Sequence, residues 1–308
     1  MTPGQSYLSK ANHQVTSFNK SGSAGGAGVK NSNFFASFLP AKTLHPLLKP
    51  DPTLISKLLR EETDERYRYL IRHGNVQFVE AESLTLFVEL SQIQDCLVVY
   101  RRPSERIKNA DKLSLEHRGL KHVPLLEGEE KLRHLNLSQN EITRIENIVS
   151  LPSLNFLDIS KNKLGEISKM PAFINLRVLI LSRNLIERIE NLEGLVSLDV
   201  LDLNDNRILK IENLGTLRNL RVLNLSNNLV TSLDMPYPAL KGLQELNMRK
   251  NFVNEIKNIG HLAALQRLYL SNNNLASIEG LADLTSLTEI TLENNPVERA
   301  SVGNSLLK

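Results

Sequence analysis

The stretch from Leu176 to Asn228 reads LRVLILSRN from Leu176, LDVLDLNDN from Leu198 and LRVLNLSNN from Leu220. These are three copies of L-x-x-L-x-L-x-x-N at a step of 22 residues. A step of that size marks a stacked array of short units. Alternate residues of a strand share a face, so Leu179 and Leu181 point the same way. One copy cannot bury those leucines, whereas a stack of copies buries them between neighbours. The expectation is therefore a solenoid with one short parallel strand per unit.

Outward from this centre the pattern holds in both directions. The closing asparagine recurs as Asn140, Asn162, Asn184, Asn206, Asn228, Asn251, Asn273 and Asn295, every 22 residues except for one step of 23. One step earlier the same slot holds Arg118, so about nine units are discernible and the first is degenerate. Two residues past the slot come Ile142, Leu164, Ile186, Ile208, Val230, Val253, Leu275 and Val297. Where a strand ends and the chain turns inward, backbone groups need partners. An asparagine amide donates and accepts at once, so these asparagines are read as a structural ladder between units. Units this short leave little room for a full helix on the convex side, where 3₁₀ or short helical turns are expected. The extra residue falls near Met235-Pro236-Tyr237-Pro238, where proline removes donors and a bulging convex loop is expected.

The residues beside the leucines face the concave side. The third column of the nine runs Lys112, His134, Phe156, Val178, Val200, Val222, Glu245, Arg267, Glu289. The fifth runs Ser114, Asn136, Asp158, Ile180, Asp202, Asn224, Asn247, Tyr269, Thr291. Phe156, Val178, Ile180, Val200 and Val222 make one apolar strip, expected to face solvent and flanked by charge. A protein-binding surface has that composition, although valines also suit strands in their own right. Eighth-position residues, including Arg183, Asp205, Asn227, Lys250 and Asn272, would set specificity by charge. Glu146, Glu190, Glu212 and Glu279 recur on the opposite edge and read as a solvated face.

The remaining chain bounds the function classes. Hydrophobic residues are 41% and charged residues 23%, values of a soluble protein with a real core. The absence of tryptophan leaves aliphatic side chains to fill the interior. No apolar run approaches a membrane span and no signal segment is apparent. Cys96 is alone and reads as a small buried side chain, which fits a reducing compartment, cytosol or nucleus. Asn136 and Asn224 begin N-x-S sequons inside strands, where glycosylation is not expected.

Residues 1–50 carry five lysines and no acid among Ser, Gly and Asn, and are expected to be a disordered tail. Gly-Val-Lys-Asn at Gly28 lacks the ending of a phosphate loop. Phe34, Phe35, Phe38 and Leu39 form an apolar island of unread purpose. Residues 51–107 are read as a region capping the array. They comprise a helix over Thr53–Leu70 ended by Gly74, then two or three strands, or a strand and a helix, over Val76–Tyr100. Residues 108–308 are the repeats.

Catalysis finds little support. His117, His134 and Glu116 share the concave face, yet nothing fixes a metal geometry, and no nucleophile has a recognisable base. No cofactor is expected. The concave columns are mixed in sign and lack a basic stripe with aromatics, which argues against nucleic acid.

The spacing, with I-x-x-I-E-N/G-L after the asparagine, resembles the 22-residue class of intracellular leucine-rich repeats. The leucine-rich regulatory subunit of protein phosphatase 1 and axonemal dynein-associated proteins share that class. The runs ADKLSLEHRGL from Ala110, KLRHLNLSQNEITRIENI from Lys131 and LEGLVSLDVLDLNDNRILKIEN from Leu192 are more similar to the leucine-rich-repeat subunit of the tubulin polyglutamylase complex. The degenerate first unit is the telling part. That resemblance implies an α/β fold, a leucine-rich repeat solenoid of right-handed horseshoe form with parallel strands on the concave face. It also implies a non-catalytic scaffold, monomeric within a hetero-complex, at microtubules or cilia; a phosphatase adaptor is the alternative. Two departures stand against it: the chain stops soon after Asn295-Pro296, as a fragment or short form would, and the tail has no counterpart.

Overall fold

The computed structural model describes residues 47–61, 63–80, 83–89, 96–126, 128–148, 151–168, 170–171 and 173–297. The stretch expected to be a tail lies outside these residues except for its last four, as do the Phe34–Leu39 island and residues 298–308.

Nine three-residue strands form one parallel sheet, from Lys112–Ser114 at one end to Glu289–Thr291 at the other. Register follows the repeat: Leu201 pairs with Leu179 on one side and Leu223 on the other. Equivalent leucines therefore stack on one another through the array. Within a unit, Leu179, Leu181, Ile186, Ile189, Leu192, Leu195 and Leu198 are all buried in one continuous core. The chain returns along the outer side through successive turns, Leu195 N–H to the Leu192 carbonyl at 3.0 Å and Leu198 N–H to that of Leu195 at 3.1 Å. That spacing is the 3₁₀ pattern. A full 3₁₀ helix occurs at Pro238–Leu240. The fold is thus a parallel-strand solenoid, and among the described residues its α-helices all precede the repeats.

The 23-residue unit does not bulge freely. Met235 and Leu240 are buried in the core, and the Tyr237 hydroxyl donates to the Ile211 carbonyl at 3.3 Å. Ser232–Asp234 also pairs in parallel with Glu255–Lys257 on the outer side. The added residue is absorbed because its apolar neighbours are drawn inward.

Before the repeats stands a second sheet, ordered Leu47–Leu48, Asn75–Glu80, Leu86–Glu89, Leu97–Tyr100, Leu125–Leu126. Its first strand lies within the stretch read as tail. The single helix expected over Thr53–Leu70 is two, Pro52–Glu61 and Glu65–His73. Asp64 starts the second by accepting the Tyr67 N–H at 3.0 Å, the role of an N-cap. Gly74 closes it and must stay small, since a Cβ there would lie 2.1 Å from Val88 Cγ1.

This sheet is buried on both faces by strand alternation. Leu86, Val88 and Tyr100 pack with Leu58, Tyr67 and Leu70 under the helices. Phe87 and Val99 point the other way, into the core shared with Leu113 and Leu115 of the first repeat. Burial on both faces is why the sequence there reads as unbroken apolar runs. Arg101, at the end of this sheet, forms a buried ion pair with Glu129. The degenerate slot has a physical reason as well. Arg118 has no preceding repeat to bridge, and its guanidinium instead meets Glu80 of the sheet at 2.5 Å. No described helix is long and apolar enough to cross a membrane.

Candidate functional site

The sheet face is built by the third and fifth columns, and burial divides them. Val178, Val200 and Val222 lie half-buried side by side in register. Phe156 and Ile180, expected to share solvent with them, are only 3% and 2% exposed. Strands about 4.8 Å apart let each large side chain cover its neighbour. The ring of Phe156 lies 5.9 Å from that of His134, and Ile180 is in register between Asp158 and Asp202. The strip that meets solvent is thus the valine row alone.

The polar members of the fifth column are also covered. Asp202, Asn224 and Tyr269 are buried and Asp158 is half-buried. Asp158 accepts the Ser160 N–H at 2.8 Å, Asp202 the Asn204 N–H at 3.0 Å, and Asn224 the Ser226 N–H at 3.1 Å. These are local turn bonds of the kind short Asp and Asn side chains make. Toward the last strands, Arg267 pairs with Glu245 at 2.9 Å, and Arg249 covers the Tyr269 ring at 4.0 Å. Charges so paired offer less to a partner than the columns promised. Burial first, then Glu245 and Glu289, raises the Tyr269 phenol.

Burial pushes the Asp202 carboxyl up to about 7, with the charge of Asp158 adding to it and the Asn204 N–H opposing. Its folded pKa lies above the unfolded value of about 4, so the folded chain holds the proton longer. Stability therefore falls as pH rises from about 4 to about 7 and is flat above. Asp202→Asn keeps the turn bond and removes the charge, as Asn136, Asn224 and Asn247 do in other units. Expected is a gain of order 2–4 kcal/mol at pH 8 that vanishes near pH 4, read by denaturant melts at the two pH values. An equal gain at both would overturn the assignment.

The asparagine slot forms a bonded ladder. Asn206 Nδ2 donates to Leu203 O in its own unit and Leu181 O in the preceding one, both at 3.0 Å, while its Oδ1 accepts Ile186 N–H at 3.1 Å. Asn140, Asn162, Asn184, Asn228, Asn251 and Asn295 bond in the same way. Asn273 donates to Met248 O and Leu270 O at 2.9 Å each.

The residue before each slot has a property that the sequence reading missed. Arg183, Asp205, Asn227, Lys250 and Asn272 all adopt left-handed backbone, with φ between 55° and 61°. These side chains stand at a turn beside the strand face and are exposed or half-buried. Arg183 spends its charge on Asp205 at 3.3 Å. The bonding of a second asparagine series, the N of I-x-x-I-E-N/G-L, was also missed. Asn147, Asn191 and Asn213, again at positive φ, donate to Val123 O, Ile167 O and Ile189 O one unit back, at 3.2, 2.6 and 2.7 Å. The signal was present: asparagine recurs seven residues past the slot. Of the outer-edge acids, Glu146 meets His122 at 3.1 Å and Glu212 meets Arg188 at 3.0 Å.

His134 is buried, which lowers its pKa, and Glu116 accepts from Asn136 Nδ2 at 3.3 Å. Cys96 is buried too, and burial raises its thiol pKa.

The family described as Leucine Rich repeats (2 copies) matches residues 130–171, 174–216, 218–264 and 263–302. The chain is 43% identical over 122 residues to leucine-rich repeat-containing protein 49 of Homo sapiens, a match that spans 40% of this chain and 16% of that protein. Two crystal structures share the fold. The leucine-rich repeat domain of APL1B has a TM-score of 0.52 at 22% identity, over 62% of this chain and 56% of that one. The LRIM1/APL1C complex has a TM-score of 0.52 at 25% identity, over 61% and 36%.

Proposed function

This chain belongs to the leucine-rich repeat family, and from that membership we propose that it is a non-catalytic scaffold binding protein partners on its strand face. The observation that carries the reading is the row of Val178, Val200 and Val222, half-exposed in three consecutive strands. An apolar row bordered by polar groups gains by being covered. Phe156, Asp158, Ile180, Asp202, Asn224 and Tyr269 then lie on the same face as its packed surroundings. Glu245 and Arg267 continue its row in register, and Arg183, Asp205 and Lys250 stand farther off, at the turn before the slot.

The partner we infer is a microtubule or ciliary assembly such as tubulin polyglutamylase, in the cytoplasm or at the cytoskeleton. Support comes from the runs quoted above and from the identity to leucine-rich repeat-containing protein 49. The test is capture from a ciliated-cell lysate by the whole chain and by the double variant Val200→Glu, Val222→Glu. The wild type should recover glutamate-ligase subunits, and the variant should lose at least about tenfold of them with a melting temperature within a few degrees. Recovery of phosphatase catalytic subunit instead supports the adaptor alternative. Undiminished capture by the variant overturns the strand-face reading.

A further inference from the structure

A column of exposed apolar side chains lies off the strand face, one residue past the asparagine slot: Leu185 and Leu229 are 39% exposed and Phe252 is 50% exposed. Backbone bonds stack this column unit on unit, with Leu229 N–H on Ile208 O and Phe252 N–H on Val230 O, each at 2.9 Å. The column therefore makes a straight wall. The left-handed residues before the slot make the facing wall, and the buried asparagine amides form the floor. Between them runs a groove of about 560 Å³ reaching from Asn184 to Asn272.

The two walls differ in chemistry. One carries Leu229 and Phe252 with Arg207 beside them; the other carries Lys250 among polar groups. Asp205, the acid of the groove, is already engaged by Arg183 at 3.3 Å and by the Asn204 and Asn227 amides. Arg207 and Lys250 are exposed and have no ion-pair partner among the described residues. The groove therefore presents apolar surface together with two uncompensated positive charges on opposite walls. Its own backbone N–H groups in this column are spent on the preceding unit, so an occupant is recognised through side chains.

We propose that this rim groove binds an extended acidic segment of a partner protein. Arg207 and Lys250 stand two units apart, about 10 Å at the strand spacing, which three extended residues span. Side chains three apart in an extended chain point to opposite sides, as these walls require. The fitting pattern is acid-x-apolar-acid: the first acid meets Arg207, the apolar residue covers Leu229 and Phe252 on the same wall, and the second acid meets Lys250. This rests on the scaffold reading only in taking a protein as partner; its surface is separate from the valine row.

The probe is a fluorescein-labelled Ser-Glu-Ala-Phe-Glu-Ser peptide, titrated with the whole chain and followed by anisotropy. Saturable binding is expected, weakened at least tenfold by Arg207→Glu, by Lys250→Glu and by Phe252→Ser. Circular dichroism melts are expected to match the wild type, because these side chains are exposed. The same peptide with lysine for both glutamates should not bind, and added salt should weaken the acidic one. Affinity indifferent to both charge reversals overturns the proposal and leaves the valine-row reading standing. So does an oligouridylate that binds more tightly than the peptide and loses affinity in the same variants, which would make the groove a nucleic-acid site. Capture from lysate, read on the valine variants, bears on the strand face alone.

Discussion

Replacing Glu129 with leucine is expected to lower the free energy of unfolding by about 3–5 kcal/mol, the usual result of removing one member of a buried ion pair. Arg101 is 3% exposed and Glu129 is 4% exposed. Two bonds join them, with Nε to Oε1 at 2.8 Å, and Arg101 Nη1 donates to Asn109 O at 3.0 Å and Lys112 O at 3.1 Å. The substitution leaves a guanidinium without water and without its counter-charge. A second substitution, Arg101→Met, should recover most of the loss, because a well-packed apolar pair replaces a buried ionic one at little cost. Chemical denaturation of both variants measures this coupling. If Glu129→Leu leaves stability unchanged, or if the double variant is no better than the single, the pair is not buried between sheet and repeats as described.

Asn206→Ala is expected to cost about 2–6 kcal/mol, because two groups buried between units, Leu181 O and Ile186 N–H, lose their partner and each is worth roughly 1–3 kcal/mol. The loss falls at an interface between neighbouring units, and a repeat array is held together by such interfaces. Unfolding should therefore broaden as well as shift, with the two flanking halves melting less together. Asn295→Ala removes the same bonds from a more exposed amide near the end of the described array, so its cost should be smaller. Equal losses at the two positions would refute the account of the ladder as a buried bridge.

The repeats were legible because their determinants are local and recur. The identities of Leu179, Leu181 and Asn184, set 22 residues apart from their counterparts, name the strand, the inward face and the turn without any knowledge of neighbours. The same listing of columns placed Phe156 and Ile180 on the solvent face, where alternation alone puts them. Alternation says which side of a strand a residue leaves from, but not what lies above it. The cover comes from residues 22 positions away on either side, such as His134 over Phe156.

Positive φ before the slot was missed for a related reason. Lysine and arginine at Lys161, Arg183 and Lys250 carry no turn signature, and their N–H groups donate to Ser182 O, Asn204 O and Ser271 O of the next unit. The N-terminal sheet was read only coarsely, since a strand buried on both faces loses its alternating pattern.

By itself, then, the sequence determined the solenoid, its unit count near nine, its leucine core and its asparagine seams. Those follow from a period that each unit states for itself. Tertiary structure alone decided which face residues meet solvent, that Arg118 serves Glu80 instead of a missing repeat, and that the exposed apolar wall runs through Leu185, Leu229 and Phe252. Each of those outcomes depends on what packs beside a residue from the next unit or from the preceding sheet, and that is a sum over distant neighbours that no single unit records.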